Sequence, residues 1–132
     1  MKAEVKAFLD TAAGRRAAQL RKQDPEARTS YVLDDMVPRA VVKAEKDGHI
    51  VAFEFLETAQ TAAVQANMED YVFAANEFGS VTVCLPEANY PREMAATVLA
   101  DLQGRIRQGG ATGDFRFSGY IYDAMGNFKK IK

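Results

Sequence analysis

The chain has 132 residues, of which 48% are hydrophobic and 27% charged, so it can build one hydrophobic core and is not broadly disordered. Its 17 Lys and Arg and 18 Asp and Glu give a formal net charge of −1, which excludes a uniformly basic, histone-like nucleic-acid binder. We therefore expect a single domain spanning residues 1–132.

The scarcity of cysteine and histidine removes several classes of site. Cys84 has no partner for an internal disulfide or a cysteine-based zinc site, and His49 alone supplies no paired-histidine metal motif. No apolar run approaches the roughly 20 residues of a membrane span. The first ten residues, MKAEVKAFLD, are too frequently charged for a signal peptide or an anchor. We expect a cytoplasmic protein with no membrane partner and no cofactor.

Charge is distributed unevenly along the chain. Residues 1–23 carry six basic and two acidic groups. Residues 24–100 carry five basic and thirteen acidic groups, and residues 101–132 carry six basic and three acidic groups. A nucleic-acid partner would therefore contact the basic ends, whose candidate residues are Arg15, Arg16, Arg21, Lys22, Arg105, Arg107, Lys129 and Lys130. The alternative for the first four is a solvated helix end, where cations are favoured by the helix dipole.

The first elements are a helix and a strand. Apolar residues recur at helical spacing over residues 3–23, and Asp24-Pro25 ends that helix. Residues 29–36 predict a short strand that stops in the acidic pair Asp34-Asp35, shortly before Pro38.

A hairpin is the strongest local signal. Residues 41–46 and 49–56 flank Asp47-Gly48, the dipeptide preferred by a two-residue type I′ turn. This turn pairs Lys46 with His49, and regular counting then places Glu54 on the same face as Lys43 and Arg39. We expect that face to carry the charged groups, and the other face to be core.

The remaining elements alternate between helix and strand. Thr58 is predicted to cap a helix that runs to Phe78, and a strand follows over residues 81–85. The third helix of the chain runs from Pro91 to Gly109, and it is followed by a strand over residues 115–122 and a last short strand. The order α-β-β-β-α-β-α-β-β predicts an α/β (mixed α+β) fold, with a central mixed sheet flanked by helices on both faces.

The first part of this order carries a family resemblance. The segment Pro38-Arg39-Ala40-Val41-Val42, the turn Lys46-Asp47-Gly48 and the strand Val51-Ala52-Phe53-Glu54-Phe55-Leu56 resemble the hairpin of the PD-(D/E)xK, or restriction-endonuclease-like, nucleases. The element order extends the resemblance over about residues 3–86. In that family Pro-Asp opens the hairpin and Glu-x-Lys follows; two carboxylates bind Mg²⁺ and the lysine lies near the attacking water.

The resemblance implies a rearranged site in this chain. Glu54 stands at the acidic position, but Arg39 replaces the first aspartate and Leu56 replaces the lysine. Asp34 or Asp35 would then bind Mg²⁺ or Mn²⁺ together with Glu54, and Lys43 would join Glu54 as a catalytic residue. The alternative is a structural ion pair between Arg39 and Glu54 without any catalysis.

Three functional hypotheses follow. The first is a nuclease-like domain without family-type cleavage, which binds nucleic acid or a protein. The second is an active, metal-dependent DNA endonuclease with the rearranged site. The third is a homodimeric interaction protein with no chemistry, whose interface is the terminal strand pair (residues 115–131), where Tyr120, Tyr122 and Phe128 are expected to be exposed. The substitutions at Arg39 and Leu56 favour a protein that is not an enzyme.

Overall fold

A computed structural model describes residues 1–34, 36–62 and 64–132. It confirms the predicted fold class and element order. The elements are α1 (Ala3–Gln23), β1 (Arg28–Leu33), β2 (Ala40–Lys46), β3 (His49–Leu56), α2 (Met68–Phe78), β4 (Ser80–Pro86), α3 (Arg92–Gln108), β5 (Arg116–Tyr122) and β6 (Phe128–Lys130). A single 3-10 turn, Gln65–Asn67, precedes α2. Within the described residues, no helix is long and apolar enough to cross a membrane.

The six strands form one mixed sheet whose spatial order follows the chain, β1 to β6. β2 is antiparallel to both of its neighbours, β1 and β3; β4 and β5 run parallel to β3, and β6 returns antiparallel to β5. Because β3, β4 and β5 are parallel, their carboxyl ends meet at one edge of the sheet. In open α/β sheets this edge is where ligands usually bind.

The sheet separates two hydrophobic cores, as expected for helices on both faces. On one face α1 packs Leu9, Ala12 and Ala13 against residues that include Val42 and the free cysteine Cys84. On the other face α2 and α3 bury a larger cluster, which includes Tyr71, Leu99 and Ile106. Burial raises the pKa of the Cys84 thiol well above its ordinary value, so this thiol is an inert core group.

A β-bulge changes the register of the β2–β3 hairpin. Lys46 pairs with His49 as predicted, and Asp47 and Gly48 both have the positive φ of a type I′ turn. Glu45 then pairs with Ile50 but Ala44 pairs with Ala52, so Val51 is an extra, unpaired residue. Every pair beyond it moves by one position.

The bulge makes the predicted faces of the hairpin wrong. Glu54 pairs with Val42 and lies on the α1 face, whereas Lys43 pairs with Phe53 and lies on the α2 face. The shifted register allows a stabilising contact on each face of the sheet. Phe53 reaches the ring of Phe78, with centroids 4.9 Å apart, and Glu54 reaches an arginine of α1.

The helix predicted from Thr58 begins ten residues later, at Met68. The side chains of Thr58 and Thr61 are used elsewhere: the Thr58 hydroxyl donates to the carbonyl of Pro38, and the Thr61 hydroxyl donates to Glu57. Their segment therefore folds into turns, and Val64 is 39% exposed. In α3 the buried residues begin at Ala95, and Met94 is 52% exposed.

Candidate functional site

Glu54, the acidic residue of the resemblance, forms a buried ion pair with Arg16 of α1. The Arg16 Nε atom donates to one Glu54 carboxylate oxygen at 2.6 Å, and a terminal guanidinium nitrogen donates to the other at 3.0 Å. Burial alone would lower the pKa of Arg16, but the hydrogen bond and the charge of Glu54 outweigh it and raise the pKa. The guanidinium also lies 4.5 Å from the ring centroid of Tyr120. Both oxygens of Glu54 are therefore engaged within the core.

Arg39, which replaces the family's first aspartate, belongs to a second buried pair. It donates two hydrogen bonds to Glu57, at 3.0 and 2.7 Å, and a third to Asp70 at 2.7 Å. Its guanidinium also lies 4.7 Å from the ring centroid of Phe55. The predicted Arg39–Glu54 ion pair is therefore wrong, because the bulge and α1 give each residue a different partner.

Glu57, which was not among the site residues predicted from the sequence, is the centre of this second network. Its side chain is fully buried and accepts hydrogen bonds from the Thr61 and Tyr71 hydroxyls as well as from Arg39. The sequence feature that could have identified Glu57 is its position directly after the apolar end of β3, with Thr61 four positions later. That spacing supplies a donor for a buried carboxylate, but the pairing with Arg39 needs the tertiary fold.

Asp34 and Glu54, two of the residues proposed for a metal site, do not come together. The Asp34 carboxylate accepts hydrogen bonds from the backbone amides of Met36 and Val37, as a turn cap does. Glu54 pairs with Val42, and Val42 pairs with Tyr31, two strands away from Glu54. Asp34 follows Tyr31 by three residues, so it lies about 10 Å along the strands and about 10 Å across them from Glu54. Asp35 lies outside the described residues. Across the rest of the chain, no group of three Asp, Glu, His or Cys residues is placed to hold a metal.

The basic candidates are distributed over both faces of the sheet. Arg16 is buried with Glu54, but Arg15, Arg21, Lys22, Lys129 and Lys130 are exposed on α1 and β6. Arg105 and Arg107 lie on α3, on the opposite face, where Arg105 is paired with Asp101 and Arg107 stacks on Phe115. These residues do not form one continuous cationic surface.

The aromatic residues of the last two strands mostly complete the α1 core. Tyr122 is fully buried, and its ring lies 5.3 Å from that of Phe8 and 5.4 Å from that of Phe128. Phe128 and Tyr120 are half-buried near Arg16. The predicted exposure of Tyr122 is wrong, and the terminal strands present little apolar surface for a dimer.

A cleft of about 600 Å³ opens at the carboxyl ends of the parallel strands. Its walls come from the loops after β3, β4 and β5 and from the first turns of α1. The lining is largely apolar: Val5, Phe8, Ala59, Pro86, Ala88, Tyr122 and Ala124. The Tyr122 hydroxyl donates to the backbone carbonyl of Glu57, so the wall of the cleft is tied to the buried Arg39–Glu57 network.

Three carboxylates stand around this cleft. Asp123 accepts backbone hydrogen bonds from Asn127 and Met125, which lower its pKa and hold it ionised. Glu87 pairs with Lys129 at 3.2 Å. Glu4, in the first turn of α1, has no hydrogen-bond or ion-pair partner within the described parts of the chain. No lysine or arginine is among the described lining residues, although Lys129 pairs with Glu87 and its charge also acts on Asp123. Glu4 is therefore the unpaired carboxylate of the cleft.

The chain matches no protein-family model, no curated protein and no solved structure. The resemblance to the PD-(D/E)xK nucleases therefore stays a prediction, carried by the element order and by Glu54.

Proposed function

We propose that this protein is a non-catalytic binding domain that holds a small molecule with an apolar body and a cationic end. The observation that carries the proposal is the cleft at the carboxyl ends of β3, β4 and β5, with its apolar walls and surrounding carboxylates. Clefts of about 300–1,000 Å³ with few polar groups are typical of small-molecule sites.

The walls favour an apolar ligand body. The side chains of Val5, Phe8 and Pro86 would cover it, and its transfer from water is favourable in proportion to the apolar area removed. The opening between α1 and the strand ends also admits the ligand without unfolding of an element.

The charge of the cleft favours a cationic end. A cation beside Glu4 gains an ion pair that no residue of the described chain supplies, whereas an anion there meets the uncompensated charge of Glu4. Nucleic acid has less support than a small cation. Its phosphates would have to bind the exposed arginines and lysines of α1 and β6, and those of α3 lie on the opposite face.

The absence of family-type catalysis in this proposal rests on three positions. Glu54 is engaged by Arg16, Arg39 is engaged by Glu57, and Leu56 is a buried apolar side chain where the family has lysine. A metal-dependent nuclease would have to break the Arg16–Glu54 pair before Glu54 could bind a cation. The described residues contain no group of three Asp, Glu, His or Cys side chains placed to hold a metal ion.

Two indole compounds of opposite charge test the proposed cleft. Tryptamine is expected to bind with a dissociation constant in the high-micromolar to millimolar range, and to shift the amide resonances of Val5, Ala59 and Ala88 in NMR titrations. Indole-3-propionate should bind more weakly, because it has a similar apolar body and the opposite charge. Glu4→Gln should reduce the preference for tryptamine by about 1.5–5-fold, the range of an exposed ion pair.

Two further variants serve as controls. Ala88→Trp should reduce the affinity for both compounds by filling the cleft, whereas Glu93→Gln, an exposed acid on α3, should leave both affinities unchanged. Equal affinity for the two compounds, or resonance shifts confined to residues outside the cleft, would contradict the proposal.

A further inference from the structure

In the described parts of the chain, α2 and α3 do not pack extensively on β1 and β2, which form one side of the sheet face that carries these helices. α2 packs against β3 and β4, and α3 packs against β5 and α2. The strip formed by β1 and β2 therefore extends beyond the helical layer. Val32, near one end of this strip, is 61% exposed although it lies within a strand. We call this region the open strip.

The register defines which side chains the open strip presents. Three cross-strand pairs point away from α1: Arg28 with Glu45, Ser30 with Lys43, and Val32 with Val41. The alternate residues of both strands point to the α1 core. One end of the open strip is apolar, with Val32 exposed and Val41 partly buried against the α2–α3 core. The other end carries two cations and one anion.

The outer face of α2 carries the complementary pattern. Glu69, Phe73 and Glu77 follow one another at four-residue spacing, so they form one exposed stripe. Phe73 is 57% exposed, and α2 contains three acidic residues and no basic one. We call these three residues the α2 stripe.

The two surfaces are continuous with each other. The ring of Phe73 contacts that of Phe78, with centroids 5.9 Å apart, and Phe78 contacts Phe53 of β3 at 4.9 Å. Phe53 pairs with Lys43 of the open strip. An aromatic row thus leads from the exposed helix face down to the uncovered strands.

We propose that a second copy of this chain covers the open strip, each copy placing its α2 stripe on the open strip of the other. A two-fold axis in the plane of the helical layer produces this arrangement. Each α2 is then held between its own β3–β4 and the β1–β2 of the other chain, and the two α2 helices share one middle layer. The interface is isologous and closed, so it makes a dimer and not a fibre.

Charge supports a second copy as the occupant. Glu69 and Glu77 meet the cations Arg28 and Lys43, and the single acid of the strip, Glu45, stands opposite Arg28 in its own sheet. Because Asp70 is engaged by Arg39, the two glutamates are the acids that α2 contributes. Both halves of the complementary pair occur in one chain, so two copies satisfy both at once. A different partner covering one surface would leave the other exposed.

A charge exchange between two variants tests the arrangement. The wild-type chain is expected to sediment as a dimer at about 100 µM. Arg28→Glu with Lys43→Glu should be monomeric, because glutamates then face the glutamates of the α2 stripe. Glu69→Lys with Glu77→Lys should be monomeric too, because lysines then face Lys43 and Arg28. An equimolar mixture of the two variants should form a heterodimer, since both of its interfaces again pair opposite charges.

An apolar variant and a matched charge control complete the test. Phe73→Asp should raise the dissociation constant of the dimer by about 30-fold or more, as loss of a central aromatic contact does. Glu93→Lys changes the charge on α3 and should leave the dimer intact. Circular dichroism checks that each variant is folded. A monomeric wild type, a dimer that persists in Phe73→Asp, or a mixture that stays monomeric would overturn the proposal.

Discussion

Glu57→Ala is expected to lower the free energy of unfolding by about 3–5 kcal/mol, the cost of leaving a buried charge without its partner. Arg39, itself 3% exposed, loses both bonds to Glu57 and retains only Asp70. The hydroxyls of Tyr71 and Thr61 lose their acceptor in the same step. Urea denaturation measures the change, with a midpoint shift at nearly constant slope.

Two milder changes of the same network serve as controls. Glu57→Gln keeps a hydrogen-bond acceptor but removes the charge, so its cost should lie below that of alanine. Asp70→Asn removes the partner of Arg39 whose side chain is 57% exposed, and should cost no more than about 1 kcal/mol. A loss below 1 kcal/mol for Glu57→Ala would show that Arg39 reaches water and that the network contributes little to stability.

Arg16→Leu is expected to lower the free energy of unfolding by about 3–5 kcal/mol, because it leaves Glu54 buried without a counterion. Replacing both residues, Arg16→Leu with Glu54→Leu, should recover most of that loss, since no charge then remains in the core. Urea denaturation of the four chains of this double-mutant cycle gives the coupling energy directly.

The neighbouring arginine provides the control for that cycle. Arg15 lies on the exposed side of α1, so Arg15→Leu should change the stability by no more than about 0.5 kcal/mol. Additive effects of the Arg16 and Glu54 changes would show that the pair is not coupled. In that case Glu54 would be available for another role.

The fold was accessible from the sequence because its signals are local. The helical period of residues 3–23 gives the bounds of α1, and Asp47-Gly48 identifies the hairpin turn. The register beyond Val51 was not accessible, because a bulge is decided by what each face packs against and not by the turn. Thr58 is a residue type that commonly caps helices, but its hydroxyl donates a hydrogen bond to the carbonyl of Pro38.

The candidate site was harder to predict because its contacts are distant in sequence. Glu54 pairs with Arg16 across 38 positions, and Arg39 pairs with Glu57 across 18. The sequence shows that a charge within a buried strand needs a partner, but it offers many arginines and glutamates. The cleft is still less visible, since three separate loops and α1 build it.

The extra residue at Val51 has a consequence for alignment of this hairpin with any other. A regular hairpin must be given a gap opposite Val51. Without that gap, every position from Ala52 to Leu56 is matched to a residue that points to the opposite side of the sheet. Glu54 then aligns with a residue on the other face of the sheet. The insertion or deletion of one residue therefore decides whether Glu54 corresponds to a catalytic carboxylate, even when no side chain is substituted.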